Sequence, residues 1–451
     1  MRHKVTEQLG LVSNANDHIR ARELGVMSRV LDELSHAVEL VHCDLLSECG
    51  NPEVGRDAMT AEQVLRAMVI KQRLDLSYED LAFQIADANS VRAFCRVPVS
   101  ANPPTKSTLQ RNIKRVKATT WEGVNRLLVG YAQDKKIETG RKTRSDCTVV
   151  ETNIHKPTDS TLLWDCVRVL VRLMTKAKET FGIRFNSRRR RAKRRMIGIL
   201  NAKTNERRHA LYVDLLKVTA DTMAQAGAVV EQLRTVAIAD MNEALLAEEI
   251  ESGIQDVLAL GARVVDQTER RVLRGESVEA AEKIVSIFEP HTDIIIKDRR
   301  DVFYGHKVCL TSGASGLVLD LVIEKGNPAD STLAKRMVDR VWSVLGKLPK
   351  QVSFDGGFSS QANVKDIKAI GVEDVAFSKH VGLEISDMTK SERVFRTLRH
   401  FRAGIEASIS FLKRTFGLSR CTWSGFESFS AYAWGSVVSC NLLVIARHLL
   451  L

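Results

Sequence analysis

Three acidic residues, Asp146, Asp355 and Glu406, stand where a sheet and a helix could bring their carboxylates together. Asp146 lies in Arg144-Ser-Asp-Cys-Thr-Val-Val-Glu-Thr-Asn-Ile154, a run dominated by Thr, Val and Ile and closed by Pro157, which predicts a strand. Alternation puts Asp146, Thr148 and Val150 on one face and Cys147 and Val149 on the other. Glu151 is an odd number of residues from Asp146 and falls on the opposite face, while Asp159, past Pro157, belongs to a turn or helix cap. Asp355 closes a second strand, and the two glycines after it let the backbone turn sharply beside a ligand. Glu406 sits inside a long helix expected over 391–416, whose core stripe is Leu398, Phe401, Ile405, Ile409, Leu412 and Phe416. Arg402, Glu406 and Lys413 follow one another at steps of four and seven along a neighbouring stripe. A cation, a carboxylate and a second cation in one line suit the handling of phosphate. The same spacing also describes an ordinary Arg–Glu pair on a solvated face, worth about 0.2–0.5 kcal/mol.

Charge narrows the choice of partner. Lys plus Arg exceed Asp plus Glu by 67 − 55, or +12, and the pI is near 9.3, so nucleic acid is the favoured partner. The 44% hydrophobic content supports ordinary cores and excludes disorder throughout. No stretch reaches the roughly 18 apolar residues of a membrane span; the best candidate, 432–446, carries Ser436, Ser439 and Asn441. The opening MRHKVTEQLG lacks the apolar centre of a secretion signal. Eight scattered cysteines form no CxxC pair and read as reduced thiols in a cytosolic protein. His155, His306 and His380 show no metal-ligand spacing and read as structural or polar. The run Arg188-Arg-Arg-Arg-Ala-Lys-Arg-Arg195 offers Arg188, Arg189, Arg190 and Arg191 to phosphates, although a solvated stretch or a nuclear-localisation signal would look alike.

The elements that must position these residues fall into three regions. Residues 1–140 read as helical: Thr60-Ala-Glu-Gln63 matches a capping box, and Ser77-Tyr-Glu-Asp80 starts a second helix carrying Leu81, Ile85 and Ala88. After the break at Asn102-Pro103-Pro104 comes a short helix over 107–116 with Leu109, Ile113 and Val116 on one side and basic residues on the other. Lys106 and Arg111 are its DNA-contact candidates, in a helix-turn-helix arrangement or within a plain bundle. Residues 141–163 and 291–451 alternate strand and helix, with a hairpin in which Thr-Ser-Gly-Ala-Ser-Gly joins 306–310 to 317–323. Between them, helical periodicity holds from about 162 to 288, a helical insertion over 164–290. The expected class is α/β, interrupted by a helical block.

Several segments together resemble bacterial insertion-sequence transposases, the insertion-sequence-five-like superfamily or its unclassified relatives. They are Asp146-Cys-Thr-Val-Val-Glu-Thr-Asn-Ile-His-Lys-Pro-Thr-Asp-Ser160, Tyr304-Gly-His-Lys-Val, Gly326-Asn-Pro-Ala-Asp-Ser331, Phe354-Asp-Gly-Gly-Phe-Ser-Ser360 and Arg402-x3-Glu406-x6-Lys413. The stretch from Thr60 to Cys95 is similar to the helical N-terminal domain of those enzymes. The family signature of the last helix carries Tyr three residues before the Arg; Arg399 stands there in this chain.

The resemblance implies a ribonuclease-H-like catalytic domain split by the insertion, behind a helix-turn-helix-type N-terminal region. It implies that Asp146, Asp355 and Glu406 form a DDE metal triad and that Arg402 and Lys413 lie near the DNA end. Three carboxylates suit Mg²⁺, or Mn²⁺, rather than zinc. Two such ions about 3.5–4 Å apart can activate a water or 3′-hydroxyl and stabilise the leaving oxygen, so one site could cut and then join strands. The implied partners are double-stranded DNA, both terminal inverted repeats and target, and a second copy of the chain. The implied setting is the bacterial cytoplasm and nucleoid. A non-catalytic DNA-binding relative and a structure-selective nuclease of the same fold are the alternatives.

Overall fold

The computed structural model describes residues 4, 18–47, 58–297, 301–378 and 382–451, and the chain divides into two compact units. The first unit combines residues 1–152 with 306–451; the second is 153–305.

The first unit begins with helices α1 (Ile19–Glu33), α2 (Ser35–Ser47), α3 (Ala61–Arg73), α4 (Tyr78–Asp87), α5 (Asn89–Phe94), α6 (Lys106–Ile113) and α7 (Ala118–Asp134). The capping box predicted at Thr60 forms: its hydroxyl accepts from the Gln63 amide at 3.2 Å, and the Gln63 side chain accepts from the Thr60 amide at 3.1 Å. Ser77 caps α4, which buries Leu81 and Ile85 but ends at Asp87, so Ala88 lies just outside it. The basic helix α6 buries Leu109 and Ile113 as expected. It follows a loop running from Cys95 to Thr105, longer than the roughly 3–4-residue turn of a helix-turn-helix, so this connection does not confirm that expectation.

Strand β1 (Lys142–Thr152) then leads out of the unit. The chain returns through β3 (Asp301–Ser312), after β2 (Asp293–Lys297) in the second unit, and continues with β4 (Val318–Ile323), α12 (Ala334–Leu345), β5 (Gln351–Phe354) and α13 (Gln361–Ala369). It finishes with β6 (Asp374–Phe377), α14 (Ile385–Met388), α15 (Glu392–Thr415), β7 (Arg420–Cys421) and α16 (Phe426–Leu450). Neighbouring strands in this unit run β4-β3-β1-β5-β6, with β7 extending the edge of β1. β5 pairs parallel with β1 from Lys142↔Gln351 to Ser145↔Phe354, β6 pairs parallel with β5, and β4 pairs antiparallel with β3.

One core links helices and sheet. α16 packs against α1, α3 and α7, and Leu65, Met68, Trp121, Leu319, Phe416 and Val437 belong to the same buried cluster. α16 is the one described helix long and apolar enough to cross a membrane, yet 94% of its apolar window is buried in protein. Its polar residues are satisfied there. Asn441 donates to the Asn125 side chain and the Val318 carbonyl at 2.7 Å each and accepts from the Val318 amide at 2.8 Å, so it ties β4 to α16.

The second unit contains α8 (Asp159–Phe181), α9 (Arg189–Leu200), α10 (Asn205–Leu233) and α11 (Met241–Thr268), around a core including Leu163, Leu170, Leu215 and Ile254. A π-turn at Glu269–Leu273 ends α11. β2 pairs antiparallel with Asp301–Gly305, the part of β3 that lies in this unit. Helix does not continue to 288 as the periodicity suggested. Val278, Ile284, Val285 and Ile287 are buried, but in irregular chain. There the Gln267 side chain serves the Ile284 backbone, accepting from its amide at 2.9 Å and donating to its carbonyl at 3.1 Å. A side chain from α11 thus replaces the hydrogen bonds a further helical turn would make.

Candidate active site

The middle of the sheet fixes the first acid. β1 alternates as expected, so Arg144 and Asp146 share one face, and α15 crosses that face. Two side chains anchor the helix to the strands beneath it. Ser353 of β5 donates to the Leu398 carbonyl at 3.0 Å, and Arg144 donates to the Phe401 carbonyl at 2.9 Å. The Arg144 guanidinium also donates to Ser312 at 2.9 Å and lies 4.7 Å from the centre of the Phe401 ring. Burial holds that guanidinium below the ordinary arginine value. Gly404 makes this approach possible, because a Cβ there would come within 2.7 Å of the Arg144 guanidinium carbon.

The second acid, Asp355, follows the last residue of β5, all four residues of which are buried. Its carboxylate accepts from Ser378 at 2.8 Å. The glycines after it have a use in packing: a Cβ on Gly357 would meet a carboxylate oxygen of Asp330 at 2.9 Å. Asp330 is held by Lys307 at 2.5 Å, and Lys307 also donates to the Pro328 carbonyl at 2.6 Å. Lys307, Asp330 and Gly357 are thereby brought into one corner.

The third acid, Glu406, comes from the middle of α15, which is capped by Ser391 and buries Phe395, Leu398, Ile405 and Leu412. Phe401 and Ile409 of the predicted stripe are partly buried, and Phe416, just past the helix, is buried.

All three carboxylates meet one guanidinium. Arg402 reaches Asp146 at 3.1 Å, Asp355 at 2.9 Å and Glu406 at 2.8 Å. The Arg402 side chain is 14% exposed and Asp146 16%, whereas Asp355 is 40% and Glu406 65% exposed, so the cluster is closed below and open to solvent above. Among the described residues no three acidic, histidine or cysteine side chains stand close enough to chelate a metal as they are. The donor set is nevertheless all oxygen and converges on a cation, which is the composition a hard divalent ion requires.

The other basic candidates lie elsewhere. Lys413 donates to the Val149 carbonyl at 2.8 Å, against the strand that carries Asp146. Lys106 is exposed and paired with Glu79 at 3.0 Å. Arg111 is exposed and lines a cavity of about 840 Å³ with Pro103, Pro104, Thr108 and Arg115. In the second unit, Arg189 and Arg190 are exposed on α9, and Arg188 is half-buried just before it. Arg191 and Arg195, one turn on, both pair with Asp214 of α10.

Of the acids near the first strand, Glu151 faces Arg420 of β7 at 3.4 Å. Asp159 opens α8 in the second unit, and one terminal nitrogen of Arg271 donates to both its oxygens at 2.9 and 3.0 Å. His155 lies 3.4 Å from Asp165, and buried His306 packs edge-on to Phe426 and Phe429. His380 lies outside the described residues. The described cysteines are free thiols. Sequence reasoning missed Arg144, Lys307, Asp330 and Ser378. Parity with Asp146 was the one signal pointing to Arg144; Lys307 and Asp330 lay inside recognised segments without an assigned role.

Two families match the chain. Residues 264–442 match the family described as Transposase DDE domain, and residues 15–115 match the family described as Transposase domain (DUF772). The first match contains Asp355, Arg402, Glu406 and Lys413; Asp146 precedes it. No curated protein and no solved structure matches the chain.

Proposed function

We propose that the chain is an insertion-sequence DDE transposase, as its two transposase-family matches support, and that it binds the terminal inverted repeats of its own element, cuts the DNA there and joins the 3′ ends to a target. One observation carries this reading: three carboxylates from β1, the end of β5 and α15 converge on Arg402. The strand order β4-β3-β1-β5-β6, with the acids on the central strand, beside it and on a crossing helix, agrees with a ribonuclease-H-like core.

Asp146, Asp355 and Glu406 would hold the divalent metal, Mg²⁺ or Mn²⁺. Bound there, it would polarise a phosphoryl oxygen and lower the pKa of the attacking hydroxyl or water. The protein's own part is placement. β1 and β5 fix two carboxylates on adjacent parallel strands, Ser378 orients Asp355, and the Arg144 and Ser353 anchors hold α15 so that Glu406 faces them. Arg402 and Lys413 supply positive charge beside the acids, where the phosphate of a DNA end would lie. The exposed arginines of α9 and the basic face of α6 add contacts to the backbone at a distance from the cut. Joining two ends requires two active sites, so the working form is a dimer or larger assembly on DNA.

The test is nicking of a duplex that carries the inverted repeats flanking the reading frame. Mg²⁺-dependent cuts at the repeat ends are expected. Binding without cuts would favour a non-catalytic relative, and cuts independent of the repeats a structure-selective nuclease.

A further inference from the structure

The acidic site carries its own cation. Arg402 spans the three carboxylates with its two terminal nitrogens, one shared by Asp146 and Asp355 and the other on Glu406. Its remaining nitrogen, Nε, is buried without a hydrogen-bond partner. A guanidinium seated for its own stability would satisfy that donor, because an unpaired buried polar atom costs about 1–3 kcal/mol. The carboxylates therefore set its position. Three carboxylates meet at this one guanidinium, and its single positive charge offsets only part of theirs.

Resting on the metal-dependent reading above, we propose that Arg402 is a built-in counter-ion that neutralises the triad in the metal-free protein and is displaced from it when a divalent ion enters. The ion replaces a singly charged occupant in a site whose Asp355 and Glu406 sides are open to solvent. The displaced guanidinium keeps its planar donor fork, which fits phosphate oxygens in a two-pronged contact. Arg402 is in this account a positioning residue. It holds the acids at their places before the ion arrives and becomes available to DNA when the ion has arrived. Metal and DNA end then favour each other's binding through one side chain.

The experiment is Mn²⁺ titration of the full chain followed by electron paramagnetic resonance, together with melting in EDTA and in Mn²⁺. Arg402→Gln, which removes the charge and keeps much of the length, is expected to bind Mn²⁺ on the order of tenfold more tightly than wild type, a factor equal to about 1.4 kcal/mol. In EDTA it should melt below wild type, and Mn²⁺ should restore it. Adding Glu406→Gln should erase the gain. Arg402→Lys, which keeps one charge without the fork, should bind with intermediate affinity and serves if the Gln variant fails to fold. Equal Mn²⁺ affinity in wild type and Arg402→Gln, with both lost on Glu406→Gln, would overturn the displacement while leaving the metal triad standing. Weaker binding in Arg402→Gln would overturn it too, since Arg402 would then assist the metal. Mn²⁺ binding indifferent to both Glu406→Gln and Asp355→Asn would remove the metal reading itself.

Discussion

Asp159 is the acid most easily mistaken for a member of the proposed triad, and Asp159→Asn separates the two roles. Its carboxylate is 7% exposed at the start of α8, and Arg271 donates to both oxygens at 2.9 and 3.0 Å. A charge-assisted bond of this kind is worth about 1.5–3 kcal/mol, and a negative charge in the first helical turn adds about 0.3–1 kcal/mol. Burial works the other way and pushes this carboxyl above the usual range despite Arg271. Arg271 is 40% exposed, so water can solvate it once the partner is neutral. The net loss is then about 1–2 kcal/mol, below the roughly 3–5 kcal/mol of a fully buried pair that loses one member. For a unit the size of the second one, that is a fall of about 2–8 °C in melting temperature. Calorimetry of the full chain reads the fall, and end cleavage assayed well below it should stay near the wild-type rate. An unchanged melting temperature with cleavage lost would refute the reasoning and move the first catalytic acid from Asp146 to Asp159.

Arg189→Ala with Arg190→Ala should reduce the slope of log affinity for DNA against log salt by about 2, since each phosphate contact contributes about 0.9; an unchanged slope would take α9 off the DNA path. Arg191 is left intact in that variant because its pair with Asp214 holds α9 to α10. Lys71 is 3% exposed between the rings of Tyr78 and Tyr432, and burial lowers its pKa from 10.5 to about 8. Between those two values the unfolded chain binds the additional proton, so this group makes stability rise with pH from about 8 to about 10.5. Lys71→Met should remove that rise in pH-dependent denaturation, and a rise that persists would assign it to another group. Gly404→Ala gains about 1 kcal/mol of helix propensity but presses on Arg144 at a cost of about 1–3 kcal/mol. Denaturant titration should therefore show a net loss of up to about 2 kcal/mol, and a gain in stability would show that Arg144 moves aside freely.

What the sequence made legible were features set within one element. The Thr60 capping box, the Leu398–Leu412 stripe and the alternation that sets Asp146 and Cys147 on opposite faces of β1 all depend on neighbours a few residues away. The i,i+4 step likewise announced the Arg402–Glu406 pair. Its extension to Asp146 and Asp355 did not follow from spacing, because it depends on α15 being pinned across β1 and β5 by Arg144 and Ser353. The end of α11 was misjudged because Val278, Ile284, Val285 and Ile287 are buried as core helix residues would be, yet lie in irregular chain. A compact Gln267 bridge to Ile284 leaves no trace in hydrophobic periodicity.

Asp146, Asp355 and Glu406 are proposed to form one metal-dependent cutting site. The most direct measurement is Mg²⁺-dependent cleavage of repeat-end DNA by Asp146→Asn, Asp355→Asn and Glu406→Gln, each alongside a gel-shift measurement of end binding. Changes to groups that only support a metal ligand already cost about 10–100-fold, so each of these should reduce cleavage by more than about 100-fold while end binding stays within a few-fold of wild type. Near-wild-type cleavage by any one of the three would contradict the account.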